Sequence, residues 1–119
     1  TGKFSKNSTF TEGDHRFFNR HGEKFDKGET FSGIDYETGL AAVEELKALF
    51  PQYSNLAPIA LRWILEFAAV STIIPGASNP EQATANLAAL NTPNLTEPQQ
   101  EAVNRIYEKY IKPQVHHLW

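Results

Sequence analysis

The stretch Ser71-Thr72-Ile73-Ile74-Pro75-Gly76-Ala77-Ser78-Asn79-Pro80-Glu81-Gln82 decides how the chain is read. Val70 to Ile74 is a short β-branched run closed by Pro75-Gly76, the pattern of a buried strand. Asn79 then stands as a helix cap, with Pro80 at the first helical position and Gln82 at the capping-box site. Ala83, Asn86, Leu87 and Leu90 extend a helix predicted over 80–90. A helix start offers backbone N–H groups and the positive end of a dipole to an anion, and Gly76, Ala77 and Ser78 are small enough to let a phosphate approach. The same spacing suits an ordinary cap in which Asn79 and Gln82 have structural duties only, so spacing alone leaves both readings open.

Upstream, Leu40, Val43, Leu46, Leu49 and Phe50 recur at helical spacing until Pro51, which predicts a helix over 36–50 opened by Ser32 and Asp35. A second helix is predicted over 56–68. Asn55 can cap it, Pro58 sits in its first turn, and only Arg62 and Glu66 break an otherwise apolar surface, so it should be buried on several sides. Residues 1–35 carry six Phe among Asp14, His15, Arg16, Arg20, His21 and Glu23 without a sustained period, and read as a long loop that wraps onto something apolar. Downstream, Thr96 and Gln99 form a capping box for a last helix whose Val103, Ile106, Tyr107 and Tyr110 share a face, with 111–119 as a tail. The expected order is therefore loop, two helices, one strand, two helices. A lone buried strand cannot satisfy its backbone groups, so partner strands are expected either from another chain or from sequence before Thr1.

With 119 residues, the chain holds one domain's worth of core. Hydrophobic residues make up 40% and charged residues 21%, as in ordinary globular proteins, and no apolar run is long enough for a bilayer. A formal charge of −3 provides no cationic field for nucleic acid or anionic lipid. Cysteine is absent, which removes disulfides and thiolate metal sites. Methionine is absent as well and no secretory leader opens the chain, so Thr1 reads as a cut end and the cytoplasm is the default compartment.

Ala57-Pro58-Ile59-Ala60-Leu61-Arg62-Trp63-Ile64-Leu65, the block Ile73 to Gln82, and Asn86-Leu87 together resemble the C-terminal third of aldo-keto reductases, including the branch of voltage-gated potassium channel β subunits. Thr1-Gly2-Lys3-Phe4 is similar to the turn after that family's seventh strand. The resemblance implies an α/β fold, the last part of a (β/α)8 TIM barrel, with residues 71–74 as the eighth strand and 80–90 as the eighth helix. It implies NADP(H) as cofactor, with NAD(H) as the alternative, and a small carbonyl substrate. Gly76, Ala77, Ser78 and Gln82 match positions around the adenosine phosphate, Asn86 the position that contacts adenine, and Gly2 and Lys3 the loop near the pyrophosphate. Many members carry Lys at the position of Gly76 and Arg at that of Gln82. Their absence takes formal positive charge from the 2′-phosphate pocket. The family's catalytic Tyr, Lys, Asp and His all map before Thr1, and Tyr36, Tyr53, Tyr107 and Tyr110 match none of them, so no catalytic residue is assigned here. Alone, the chain should not catalyse reduction.

Two other classes stay in view. One is a helical fragment that self-associates through faces left uncovered, and the other a non-enzymatic subunit that senses the cofactor. Weaker signals carry less. His15 and His21 with Asp14 and Glu23 match no metal spacing and sit in a charged loop, His116-His117 reads as tail surface, and Arg16, Phe17, Phe18 and Arg20 lack the basic surroundings that single-stranded nucleic acid needs.

Overall fold

The computed structural model describes residues 8–19 and 33–118. Helix α1 (His15–Phe18) is a single turn, started by Asp14 N–H donating to Thr11 O at 2.8 Å. Helix α2 (Tyr36–Leu49) begins at Asp35, whose carboxylate accepts from the Thr38 N–H at 2.9 Å and from its hydroxyl at 3.0 Å. Asp35 thus caps the helix itself. Ser32, expected to share that duty, lies outside the described residues. Gly33 precedes the cap at φ +79°, a left-handed backbone that side chains rarely adopt.

Helix α3 (Ala57–Leu65) is entered through Asn55, whose side chain accepts from the Ala57 N–H at 2.9 Å. It stops three residues short of the predicted end. Beyond Leu65 the backbone tightens into turns through Phe67, and the Glu66 side chain accepts from Leu95 N–H at 2.7 Å and Gln100 Nε2 at 2.8 Å. Burial on several sides is not found either. Within α3 only Ile59 is buried, because helices cover one flank while Phe67 beyond its end is 49% exposed. The core on that flank is Phe50, Leu56, Ile59 and Leu95, edged by Leu46, Leu49, Tyr53, Trp63 and Val103.

Val70 to Ile74 is neither strand nor helix, and the described residues contain no strand. The physical reason is the one that made a lone strand improbable: a ladder needs a second strand, and no described segment supplies it. Ile74 is left 94% exposed. Helix α4 (Pro80–Leu87) follows and tightens into a 3-10 turn at Ala88–Asn91, together matching the predicted 80–90 segment closely.

Helix α5 (Glu97–Ile106) starts as expected, with Gln99 Oε1 reaching back to the Thr96 N–H at 2.9 Å. The predicted face is present, Ile106 being buried and Val103, Tyr107 and Tyr110 half-buried. The tail departs from expectation. The helix runs on through a wide π turn (Tyr107–Ile111), helix α6 (Lys112–Val115) and a 3-10 turn (His116–Leu118). Pro113 accounts for the widening: it has no N–H for the Lys109 carbonyl four residues back, and its ring would collide with that carbonyl in a regular helix. Helix α6 then docks at the start of α2, where Gln114 Oε1 accepts from the Asp35 N–H at 2.8 Å and Val115 is buried.

Candidate functional site

The loop from Pro75 to Asn79 leads into α4 with its residues exposed. Asn79 is extended, φ −154° and ψ 164°, which aims its side-chain oxygen back at the first turn to accept from the Gln82 N–H at 2.9 Å. Pro80 follows where a missing N–H costs nothing. The other half of the expected capping box is displaced by one residue: Gln82 Oε1 accepts from the Ser78 N–H at 2.7 Å, holding the loop rather than the cap. One helical turn on, Asn86 Nδ2 donates to the Gly76 carbonyl at 3.2 Å. Two carboxamides on one helix therefore grip both ends of a three-residue loop.

Five of the seven candidate cofactor residues, Gly76, Ala77, Ser78, Gln82 and Asn86, thus meet at the start of α4. Gly2 and Lys3 lie outside the described residues. A side chain at Gly76 would meet nothing within 4 Å, so this glycine is not demanded by crowding. Beside the loop runs a mostly apolar crevice of about 410 Å³, bordered by Leu65, Ile73, Pro75, Ala83 and Leu87. No Lys or Arg occurs between Arg62 and Arg105, so the donors this stretch offers are backbone amides, carboxamides and the hydroxyls of Ser71, Thr72 and Ser78, and Glu81 is the nearest charge in sequence. The donor set suits an uncharged or phosphate oxygen: the N–H groups of Gly76 and Ala77 have no partner among the described residues, and the helix dipole adds to them.

Away from this loop, the tyrosines have structural work. Tyr107 Oη pairs with His116 Nδ1 at 2.8 Å, and Tyr110 Oη donates to Glu45 Oε1 at 2.6 Å. Lys109 joins the same carboxylate at 2.5 Å. Hydrogen bonds first from Lys109 and then from Tyr110 hold the Glu45 carboxyl below the ordinary carboxylate range, and Glu45 in turn raises Lys109. The cluster was missed in the sequence because its members are 64 and 65 positions apart and share no local pattern. Arg62 of α3 and Glu66 at its C-terminal cap also have partners: Arg62 bonds the Asn94 side chain, and Glu66 receives the two bonds described above. Among the described residues no group of three or more His, Asp or Glu could hold a metal, His21 and Glu23 lying outside them. None of the described helices is long and apolar enough to cross a membrane.

A family model described as "Aldo/keto reductase family" matches residues 1–108. No curated protein and no solved structure matches the chain.

Proposed function

The chain belongs to the aldo/keto reductase family, and from that premise we propose that it builds the adenosine-phosphate side of a nicotinamide cofactor site in a protein that reduces a carbonyl to an alcohol with NADP(H). The family architecture is a TIM barrel, in which active sites lie at the C-terminal ends of the strands. Residues 71–77 would take the place of the last strand and its loop, and α4 the helix that follows.

The observation that carries this reading is the convergence of Gly76, Ala77, Ser78, Gln82 and Asn86 on one exposed loop at a helix start, inside the segment that the family match covers. The cofactor, when bound, supplies the hydride. The residues of this chain bind and orient: loop amides and the helix dipole favour the phosphate, Asn86 offers a carboxamide to the base, and the small side chains let the anion approach. Gly2 and Lys3 would serve the pyrophosphate side. With neutral donors in place of Arg, preference for NADP(H) over NAD(H) rests on geometry more than on charge.

Isothermal titration of the chain with adenosine 2′,5′-bisphosphate and with NADPH tests the reading. Binding that weakens in Asn86→Ala is expected, and no binding of either ligand would refute it. By family position the acid and the substrate-orienting His that turnover requires match no residue of this chain, so NADPH-dependent reduction of an aldehyde by the pure chain would overturn the assigned division of labour.

A second reading draws on a different observation. Ile74, Leu87 and Leu90 are 94%, 63% and 67% exposed around the unpaired 71–77 segment, a surface suited to self-association. A dimer in sedimentation that ignores NADPH would favour it, and a monomer at high concentration would exclude it.

A further inference from the structure

We propose that the Gln82 carboxamide is a resident occupant of the phosphate loop, holding the Ser78 N–H in the free protein and exchanging it for the ligand when an adenosine 2′-phosphate enters. The inference rests on the cofactor reading above and concerns how that same site is controlled. Of the three loop amides, only that of Ser78 is taken by a side chain, through Gln82 Oε1 at 2.7 Å. The backbone of Gln82 is pinned, since its own N–H bonds Asn79 Oδ1 at 2.9 Å, so any release must come from the side chain turning. Ser78 and its neighbours are exposed and Gln82 is half-buried, which leaves the carboxamide room to turn outward.

The chemistry favours an exchange over simple addition. A carboxamide has one acceptor oxygen and one donor nitrogen. Toward a backbone N–H only the oxygen serves, whereas toward a phosphate only the nitrogen does. A phosphate oxygen makes a charge-assisted bond with the Ser78 N–H that is roughly twice as strong as the neutral one it replaces. Once freed, Gln82 can present Nε2 to the same anion, so one side chain passes from competitor to ligand. An Arg at this position has no acceptor and cannot act as the occupant. The Asn86 contact differs in kind: it donates to the Gly76 carbonyl and consumes none of the loop's N–H groups.

Amide spectra of the ¹⁵N-labelled 119-residue chain, titrated with adenosine 2′,5′-bisphosphate, decide the matter. The backbone signals of Gly76, Ala77 and Ser78 and the Nε2 signal of Gln82 should move with one midpoint. Gln82→Glu places a stronger acceptor on Ser78 and a like charge beside the phosphate, so affinity should fall by about tenfold or more while the melting temperature is kept or raised. Gln82→Arg should bind at least as tightly as the parent. If Gly76 and Ala77 respond while Ser78 and Gln82 Nε2 stay at their free positions, or if Gln82→Glu binds like the parent, the exchange is wrong and the cofactor reading stands. If no loop signal moves, the cofactor reading fails and the exchange with it.

Discussion

Tyr110 donates its hydroxyl to Glu45 Oε1 at 2.6 Å, tying the wide turn of the last helix to the middle of α2 across 65 positions of sequence. Lys109 reaches the same oxygen and lies 4.5 Å over the Tyr110 ring, so one carboxylate organises two neighbours at once. Such a cluster restrains fewer side chains per contact than separate pairs would. It is also exposed to solvent, where ion pairs contribute little and salt screens them.

The cluster sets a pH dependence. The lowered Glu45 pKa means that its stabilisation is complete above the ordinary carboxylate range and fades as pH falls through the depressed value. The raised Lys109 pKa sets the other limit, with stabilisation complete below the ordinary lysine value and lost as pH rises through the raised one. Melting temperatures of the parent and Glu45→Gln, followed across pH, should differ modestly at neutrality and converge in strong acid. A gap that stays constant on acidification would contradict the assignment.

Replacing Pro113 tests the origin of the π turn. Pro113→Ala restores an N–H for the Lys109 carbonyl and removes the ring clash, so the segment 107–111 should relax toward regular helix. Removing one residue from the wide turn rotates neighbouring side chains by about 100° relative to each other. Helicity by circular dichroism should rise while the Tyr110–Glu45 contact is lost from nuclear Overhauser spectra. Retention of both the contact and the wide turn would assign the π geometry to packing instead.

Phe50 is 2% exposed at the centre of the α2–α3 core. Phe50→Ala should cost about 3–5 kcal/mol, a transfer loss plus a cavity. Urea unfolding should show this as a lower midpoint at unchanged slope. A loss below 1 kcal/mol would mean that the core collapses around the gap.

Asn79→Ala removes the cap of α4, worth about 1 kcal/mol, and Asn79→Asp should keep it. Helix α4 itself contains no buried residue, so the loss should appear as faster amide exchange within 80–87 and not as a change in global unfolding. Equal exchange in parent and variant would show that the Gln82–Ser78 contact alone secures the helix start.

Helix positions were legible where local chemistry decides them. Pro51 ends α2, Asn79 and Pro80 start α4, and Thr96 with Gln99 starts α5, each within a residue or two of its expected place. The β-branched run at 70–74 predicted a strand and none forms there, because strand formation depends on a neighbour that no described segment supplies. Past Leu65, α3 tightens into turns beside a Glu66 side-chain contact 29 positions away, and the tail stayed helical because a π turn absorbed Pro113. At the candidate site the residue types were readable and one partner was not: the spacing pointed Gln82 at Asn79, whereas backbone geometry sends it to Ser78.

The bond from Asp35 N–H to Gln114 Oε1 spans 79 positions, so nearly the whole helical body is one closed ring. Closing a ring of that size from an unfolded chain costs on the order of 4 kcal/mol beyond the constant for ring formation, more than a single hydrogen bond returns. The junction therefore shares that closure cost with other contacts between α2 and the last helix, such as Tyr110–Glu45. It also places the two ends of that body side by side, the geometry that makes circular permutation feasible. New termini opened in the exposed stretch between α3 and α4, with residues 35 and 114 joined through a short linker, would leave the α2–α3–α5 core uncut.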